Sequence, residues 1–208
     1  MSGITFVDKT VVYNGQPQSI LIGGDLPAGV EVSYINNGNT VVGQYTITAQ
    51  FVGNVNYNVI DDMTAVLTIN KATHDMSGIS FVDTSVIYNG QVQSVVITGT
   101  LPSGVSVSYT GNSGTNVGTY NAVATFVYDT VNYNAIADMS ATLTIGKATF
   151  DMSGISFDDK SVIYNGQVQT VVITGTLPSG VTVSYPGNSG TTVGTYNAVA
   201  TFSYDTVN

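Results

Sequence analysis

The side chains that most often carry catalysis are scarce in this chain. Its 208 residues include no Cys and a single His, His74, which excludes thiol nucleophiles, disulfides and thiolate metal sites. Ser and Thr are abundant, but a hydroxyl needs a neighbouring base to become a nucleophile, and no His recurs beside them. We therefore predict that the protein is not an enzyme. His74 has no neighbouring ligands in the sequence, so we predict that it packs rather than binds a metal.

Recurring acidic residues are the candidate metal ligands. Carboxylate oxygens are the ligands that Ca²⁺ prefers, and several Asp residues recur at equivalent positions near the junctions of the internal repeat described below. However, no dense acidic loop surrounds them, and an Asp at a strand end commonly stabilises a turn. Calcium is therefore the one cofactor that the sequence suggests. The alternative is that these Asp residues only stabilise turns. The candidate ligands are Asp62, Asp75, Asp138 and Asp151.

The segment Tyr128 to Asn134, with the sequence YDTVNYN, is the candidate ligand-binding loop. It combines aromatic rings, which can stack on a sugar, with amides, which can hydrogen-bond to one. The alternative is that its Tyr residues pack on the end of the domain. The four candidate binding residues are Tyr128, Asn132, Tyr133 and Asn134.

Composition excludes two classes of partner. Four Lys, no Arg and 13 acidic residues give a net charge of −9, which is the wrong sign for contacts with nucleic-acid phosphates. No apolar run reaches the roughly 18 residues of a membrane span, so no membrane insertion by this segment is expected. Because 43% of the residues are hydrophobic and only 8% are charged, the chain can bury a core.

An internal repeat organises the whole chain. Residues 78–132 align without a gap on residues 154–208, and 48 of the 55 pairs are identical. A more divergent first copy aligns at an offset of 75 residues and later of 76. We predict three domains, 1–73, 74–149 and 150–208, of which the third lacks the final strand. Because Met1 aligns with Met76 and Met152, the chain is expected to be part of a longer array.

Apolar residues alternate with a period of two in each copy, which predicts strands with one buried face. In the longest segment, Tyr120, Ala122, Ala124, Phe126 and Tyr128 share one face. The last segment repeats the pattern and places four residues on one side. They are Met139, Ala141, Leu143 and Ile145.

The turns complete the prediction of an all-β fold. Asn-Gly pairs at Asn14, Asn89 and Asn165 predict type I′ hairpin turns. About six or seven short strands in 75 residues are typical of a small antiparallel β-sandwich of the immunoglobulin-like class, with a β-grasp-like domain as the alternative. Tyr120 follows Gly118 at the start of the longest strand. This spacing allows a tyrosine corner, in which the hydroxyl ties the strand to the preceding loop, or a simple strand-end aromatic.

Three segments together resemble a known repeat family: VIYNGQVQSVVITGTLPSGVSVSYTGN, NVGTYNAVATF and ATLTIGKAT. Their order within a 75-residue period is similar to the tandem MBG or YDG-type repeats, which are bacterial immunoglobulin-like repeats of long cell-surface proteins. The resemblance covers essentially the whole chain. It implies an extracellular, all-β stalk or adhesin role at the cell surface, and it implies no catalytic residues.

The junctions between copies contain no Pro and no Gly/Ser tract that would act as a flexible tether. We therefore expect neighbouring repeats to be one another's partners and the domains, each roughly 35 Å long, to form a stiff rod that projects a binding head. Two other functions are open. One is a multivalent array that binds a host or cell-surface glycan or protein. The other is a filament subunit whose third repeat accepts a β-strand at its exposed sheet edge.

Overall fold

The computed structural model describes residues 3–53, 55 and 58–208, and the described residues contain strands and no helix. The all-β class predicted from the sequence is confirmed. The strands, in chain order, are β1 (Lys9–Val12), β2 (Glu31–Ile35), β3 (Gly43–Val52), β4 (Met63–Asn70), β5 (Thr84–Ile87), β6 (Gln93–Ser94), β7 (Ser106–Thr110), β8 (Ser113–Gly114), β9 (Gly118–Val127), β10 (Met139–Gly146), β11 (Gln169–Thr170), β12 (Thr182–Ser184), β13 (Ser189–Gly190) and β14 (Thr201–Ser203).

The first two repeats each build a four-stranded sheet with the same strand order. The orders are β1-β4-β3-β2 and β5-β10-β9-β7. Strand β3 runs antiparallel to both β2 and β4, but β1 runs parallel to β4, and β5 runs parallel to β10. The expectation that all strands are antiparallel is therefore wrong at these two pairs. Local patterns cannot reveal it, because parallel partners need a long crossover connection rather than a hairpin turn.

The predicted alternation defines the buried face of the long strands. On β3 and β4, Ile47, Leu67 and Ile69 are almost completely buried, while Thr46 is exposed. The equivalent residues of β9 and β10 follow the same rule, since Ala122 and Leu143 are fully buried. The inward faces predicted for these strands are thus confirmed.

A second layer covers this face of the first sheet. Phe6 and Ile20 lie outside the sheet but belong to the same buried cluster as Ile47 and Leu67. Isolated bridges between Thr5 and Gly23 and between Gln18 and Asn39 hold the covering segments in extended form. The core of the first repeat therefore lies between one regular sheet and one layer of short, irregular pairs, as in a small sandwich.

The Asn-Gly turns differ from the predicted type. A type I′ turn requires a positive φ at both central residues, yet the described residues have a positive φ outside glycine only at Asn36. Asn14 instead keeps a negative φ and accepts a hydrogen bond from the amide of Gln16. Only the glycine, Gly15, takes the left-handed conformation there. Since β1 pairs with the distant β4, the turn does not need to match the twist of a hairpin.

The described residues fall into two compact units. One comprises Met1–Phe81, Val96–Thr110 and Val123–Ser140, and the other comprises Val82–Val95, Gly111–Ala122 and Ala141–Asn208. The predicted domain boundaries at residues 73/74 and 149/150 stay a prediction. Within the described residues, no helix has the length and apolarity to span a bilayer.

Candidate functional site

The segment that follows the last strand of the first repeat is bound by the YDTVNYN loop of the second repeat. The amide of Ala72 donates to the carbonyl oxygen of Asn132 at 3.0 Å, and the amide of Asn134 donates to the carbonyl oxygen of Ala72 at 2.8 Å. Ala72 and Tyr133 thus form a short parallel bridge. The Lys71 ammonium adds a hydrogen bond to the carbonyl oxygen of Thr130 at 2.6 Å. The two repeats are joined by backbone pairing as well as by the covalent chain.

Asn132 is the central side chain of this junction. Its Oδ1 accepts a hydrogen bond from the amide of Val42 at 2.9 Å, across 90 residues of sequence. Its Nδ2 donates to Oδ2 of Asp129 at 2.8 Å, and Oδ1 of Asp129 accepts from the amides of Val131 and Asn132. The hydrogen bond from the Asn132 side chain lowers the pKa of Asp129 below its usual value of about 3.8. An ionised Asp129 therefore fixes the loop and aims Asn132 at the first repeat.

Aromatic rings fill the space beside these hydrogen bonds. Tyr133 stacks on His74 with ring centroids 3.9 Å apart and planes 12° apart, and it meets Tyr13 edge-on at 5.5 Å. Tyr128 also contacts His74, edge-on, with ring centroids 6.0 Å apart. The packing role predicted for His74 is confirmed. Its Nε2 is buried and has no hydrogen-bond partner among the described residues, so His74 contributes through the face of its ring.

The second junction repeats the arrangement with equivalent residues. The amide of Ala148 donates to the carbonyl oxygen of Asn208 at 3.1 Å, and Oδ1 of Asn208 accepts from the amide of Val117 at 2.9 Å. Lys147 donates to the carbonyl oxygen of Thr206. Phe150 occupies the position equivalent to His74, and its ring centroid lies 5.6 Å from that of Tyr204. The hydrogen bonds of the linker alanine amide, the lysine ammonium and the asparagine Oδ1 therefore recur at the second junction, and each junction lies inside one compact unit.

The four residues predicted to bind a sugar all lie in the first junction. Asn132 and Tyr133 are half-buried and make the contacts described above. Nδ2 of Asn134 donates to Oγ1 of Thr73 at 2.8 Å, and the hydroxyl of Tyr128 accepts from the amide of Ile136 at 2.9 Å. These polar groups serve contacts within the chain. Since no contact here tests carbohydrate binding itself, it stays a prediction.

The four candidate calcium ligands occupy turns and strand ends. Asp75 and Asp151 accept hydrogen bonds from the amides of Ser77 and Ser153, and hydrogen bonds from these serines lower the pKa of both carboxyls. Asp62 accepts from Nε2 of Gln50, and Asp138 is exposed. Among the described residues, no three His, Asp or Glu side chains form a group that could hold a metal ion. Calcium binding stays an untested prediction.

Of the two roles considered for Tyr120, the structure shows the tyrosine corner. Its hydroxyl donates to the carbonyl oxygen of Asn116, four residues upstream, at 2.8 Å. Tyr45 and Tyr196 make the same bond to Val41 and Thr192. The corner therefore ties the start of the long strand to the loop before it in every repeat. In the first two repeats this loop carries the backbone amide that Asn132 or Asn208 binds.

Replacing Tyr120 by Phe is expected to lower the free energy of unfolding of the second repeat by about 0.5–1.5 kcal/mol, because the hydrogen bond is lost while the ring stays. Amide exchange of the loop residues 112–118 should become faster and report the change. The matched control is Thr119→Ser, since Thr119 is an exposed neighbour. Equal exchange rates in Tyr120→Phe and the unsubstituted chain would contradict a stabilising role for the corner.

Two further recurring interactions were not found by sequence reasoning. The side chain of Asn37 brackets Ile20, donating to its carbonyl oxygen and accepting from its amide. The hydroxyl of Tyr34 accepts from the amide of Ile22 at 3.0 Å. Equivalent bonds occur in the other repeats, for example from Asn112 to the carbonyl oxygen of Val95. The recurrence of these Asn and Tyr residues in each copy was the signal in the sequence that could have revealed both interactions.

Comparison with protein families matches part of the chain. The family model described as the MBG domain matches residues 77–149. The MBG match falls within the middle repeat predicted from the sequence, and 48 of 55 aligned residues there recur in residues 154–208. None of the curated proteins matches the chain.

Three solved structures are distantly similar to the chain. Fibronectin(III)-like modules of Clostridium thermocellum CbhA are 13% identical, with a TM-score of 0.25 over 69% of this chain and 94% of theirs. Mouse Cadherin-23 EC22-24 is 15% identical, with a TM-score of 0.33 over 89% of this chain and 80% of its own. The titin domains z1z2, solved in complex with telethonin, are 16% identical, with a TM-score of 0.31 over 70% and 98%. Likenesses this distant carry no inference about function.

Proposed function

We propose that the chain is a structural spacer, a region of repeats in an extracellular bacterial surface protein that holds another domain away from the surface. The observation that carries the proposal is the recurring junction, in which Oδ1 of an equivalent asparagine, Asn132 or Asn208, accepts a hydrogen bond from a backbone amide of the preceding repeat. A repeated junction of this kind sets a repeated geometry between neighbours. The role requires neither a catalytic residue nor a cofactor.

The chemistry of the junction supports this role over a freely jointed chain. The linker residues Lys71, Ala72 and Thr73 are each hydrogen-bonded to the loop of the next repeat. A tether needs solvated, unpaired backbone to move, whereas backbone paired in this way is restrained. The matched MBG family and the weakly charged, Thr- and Asn-rich outward faces are compatible with a solvent-exposed spacer.

Small-angle X-ray scattering on chains of increasing repeat number tests this function. Additional copies of residues 74–149 are inserted into the full chain, and the maximum dimension is measured for each length. A spacer with fixed junctions should grow by a constant increment of roughly 35 Å per inserted copy, the length expected from ten-residue strands at about 3.3 Å per residue. An increment that shrinks with each copy, or a compact particle, would contradict the proposal.

The same chains separate the spacer from a multivalent binding array. Binding to a glycan array or to host cells that rises steeply with copy number would favour an array of weak sites. Signal that is independent of copy number, or absent, would favour the spacer. Tyr133→Ala is unsuitable for this comparison because it also disturbs the junction.

A further inference from the structure

The first and last strands of the first repeat lie side by side and run in the same direction. Lys9 pairs with Leu67 and Val12 pairs with Asn70, in a parallel ladder of four residue pairs. The second repeat has the same arrangement, since β5 runs parallel to β10 and this ladder also has four pairs. Because β1 is the first strand of its repeat and β4 is the last, a pull on the chain reaches both strands of the ladder directly.

The parallel direction decides how this ladder responds to tension. Tension pulls β1 at its amino-terminal end and β4 at its carboxy-terminal end, so the two strands are drawn past one another in opposite directions. The hydrogen bonds of a parallel pair are evenly spaced along both strands, and this sliding strains all of them together. In an antiparallel pair that is pulled apart at its open end, the bonds break one after another. The ladder between β1 and β4 should therefore resist tension better than an antiparallel pair of similar length.

Two further hydrogen bonds extend the ladder beyond its four pairs. Before β1, Oδ1 of Asp8 accepts a hydrogen bond from the amide of Val66 at 2.8 Å. After β1, the amide of Tyr13 donates to the carbonyl oxygen of Asn70 at 2.8 Å. Both ends of the ladder are thus held by contacts that recur in the next repeat. The equivalent bonds there have the same lengths and join Thr142 to Asp83 and Tyr88 to Gly146.

Side chains on β1 and directly after it oppose the same sliding motion. Val11 and Tyr13 pack against the buried cluster that contains Leu67 and Ile69. Moving β1 along β4 would withdraw these side chains from the cluster and expose apolar surface to water, which is unfavourable. The ring of Tyr13 also meets Tyr133 edge-on, with centroids 5.5 Å apart. The carboxy-terminal end of the ladder therefore adjoins the first junction.

We propose that the first and second repeats resist mechanical tension, and that the parallel pair of first and last strands is the mechanical clamp of each repeat. The clamp of the first repeat comprises the ladder between β1 and β4 together with the hydrogen bonds of Asp8 and Tyr13. This function goes beyond the spacer, since a spacer sets a distance and needs no resistance to tension. The two proposals also fail separately, because fixed junctions can join repeats that unfold under a small force.

Single-molecule force spectroscopy on the full 208-residue chain tests the clamp by changing the direction of the pull. Because the chain contains no Cys, handles can be attached to pairs of introduced Cys residues. Val7 and Asn70 are exposed and lie before β1 and at the end of β4, so handles on this pair pull the clamp along its strands. Glu31 and Gly53 are exposed and lie at the open end of the antiparallel β2–β3 pair, so handles there open a ladder from its end.

The two directions should give clearly different rupture forces. At the same loading rate, the pull on Val7 and Asn70 should need about twofold more force than the pull on Glu31 and Gly53, because the evenly spaced bonds of the clamp are strained together. The β2–β3 ladder has five residue pairs and the clamp ladder has four, so the number of pairs alone predicts the opposite order. Equal forces in the two directions, or a smaller force along the clamp, would overturn the proposal.

Substitution of Asp8 tests whether the resistance lies in the clamp. Asp8→Ala removes the bond to the amide of Val66 and should shorten the lifetime of the first repeat, under a constant pull on Val7 and Asn70, by about three- to tenfold. The matched control is Asp25→Ala, which removes the same charge from an exposed position outside the strands and should leave this lifetime unchanged. Equal lifetimes in the two variants, or an equal loss in both pulling directions, would overturn the assignment of Asp8 to the clamp.

Discussion

Replacing Leu143 by Ala is expected to lower the free energy of unfolding of the second repeat by about 2–5 kcal/mol. Leu143 is 0% exposed and lies on β10, the strand between the parallel β5 and the long β9. Removing its methyl groups leaves a cavity that a close-packed interior cannot fill. Amide exchange of residues 118–127 and 139–146 should accelerate by about 30-fold or more, since 1.4 kcal/mol corresponds to a factor of ten.

The control for this substitution is supplied by the repeat itself. Val127 is 61% exposed, and Ser203 occupies the equivalent position in the third repeat. Val127→Ser should therefore change the free energy of unfolding by no more than about 0.5 kcal/mol. If Leu143→Ala left amide exchange as slow as Val127→Ser does, the interior position of β10 would be wrong.

Replacing Tyr133 by Ala is expected to loosen the first junction and leave the repeats on either side folded. The substitution removes the stacking on His74 and the edge contact with Tyr13. Aromatic pairs of this kind are worth about 0.5–1.5 kcal/mol each beyond the area that they bury, so we expect a loss of about 1–3 kcal/mol at the junction. The amides of Val42, Ala72 and Asn134 should then exchange faster, because their bonds close this interface.

Val131→Ala is the matched control for Tyr133→Ala. Val131 lies in the same loop but is 57% exposed, and its amide bond to Asp129 does not involve the side chain. The control should leave exchange at the junction unchanged. Exchange of the strands β3 and β4 should stay slow in both variants. Equal protection of Val42 in Tyr133→Ala and in the unsubstituted chain would show that the aromatic contacts do not hold the junction.

The sequence predicted the parts of the fold that depend on local patterns. A period of two places Ala122, Ala124 and Phe126 on one face whatever the partner strand is, because the pleat alone decides which side each residue occupies. The tyrosine corner is similar, since Tyr120 and Asn116 are only four residues apart. The packing role of His74 followed from the absence of other ligands near it.

Features that depend on distant partners were not predictable in this way. The parallel pairing of β1 with β4 joins segments more than 50 residues apart, and either direction of β1 would satisfy the same alternation. Asn132 was recognised as a polar loop residue, but its partner Val42 contributes only a backbone amide. Every residue except proline has a backbone amide, so the sequence does not show which amide binds Asn132. The sequence therefore left open whether the loop binds a sugar or packs on the end of the domain, and the structure places it at the junction between repeats.

The most direct test of the spacer proposal is a distance measurement across the first junction. Because the chain contains no Cys, spin labels can be attached to Cys introduced at the exposed positions Thr46 and Ser106 without background labelling. Pulsed electron paramagnetic resonance then gives the distribution of distances between them. Fixed junctions predict one narrow distribution, which broadens when Asn132→Ala and Tyr133→Ala are combined. A broad or multiple distribution in the unsubstituted chain would contradict the claim that the junction fixes neighbouring repeats.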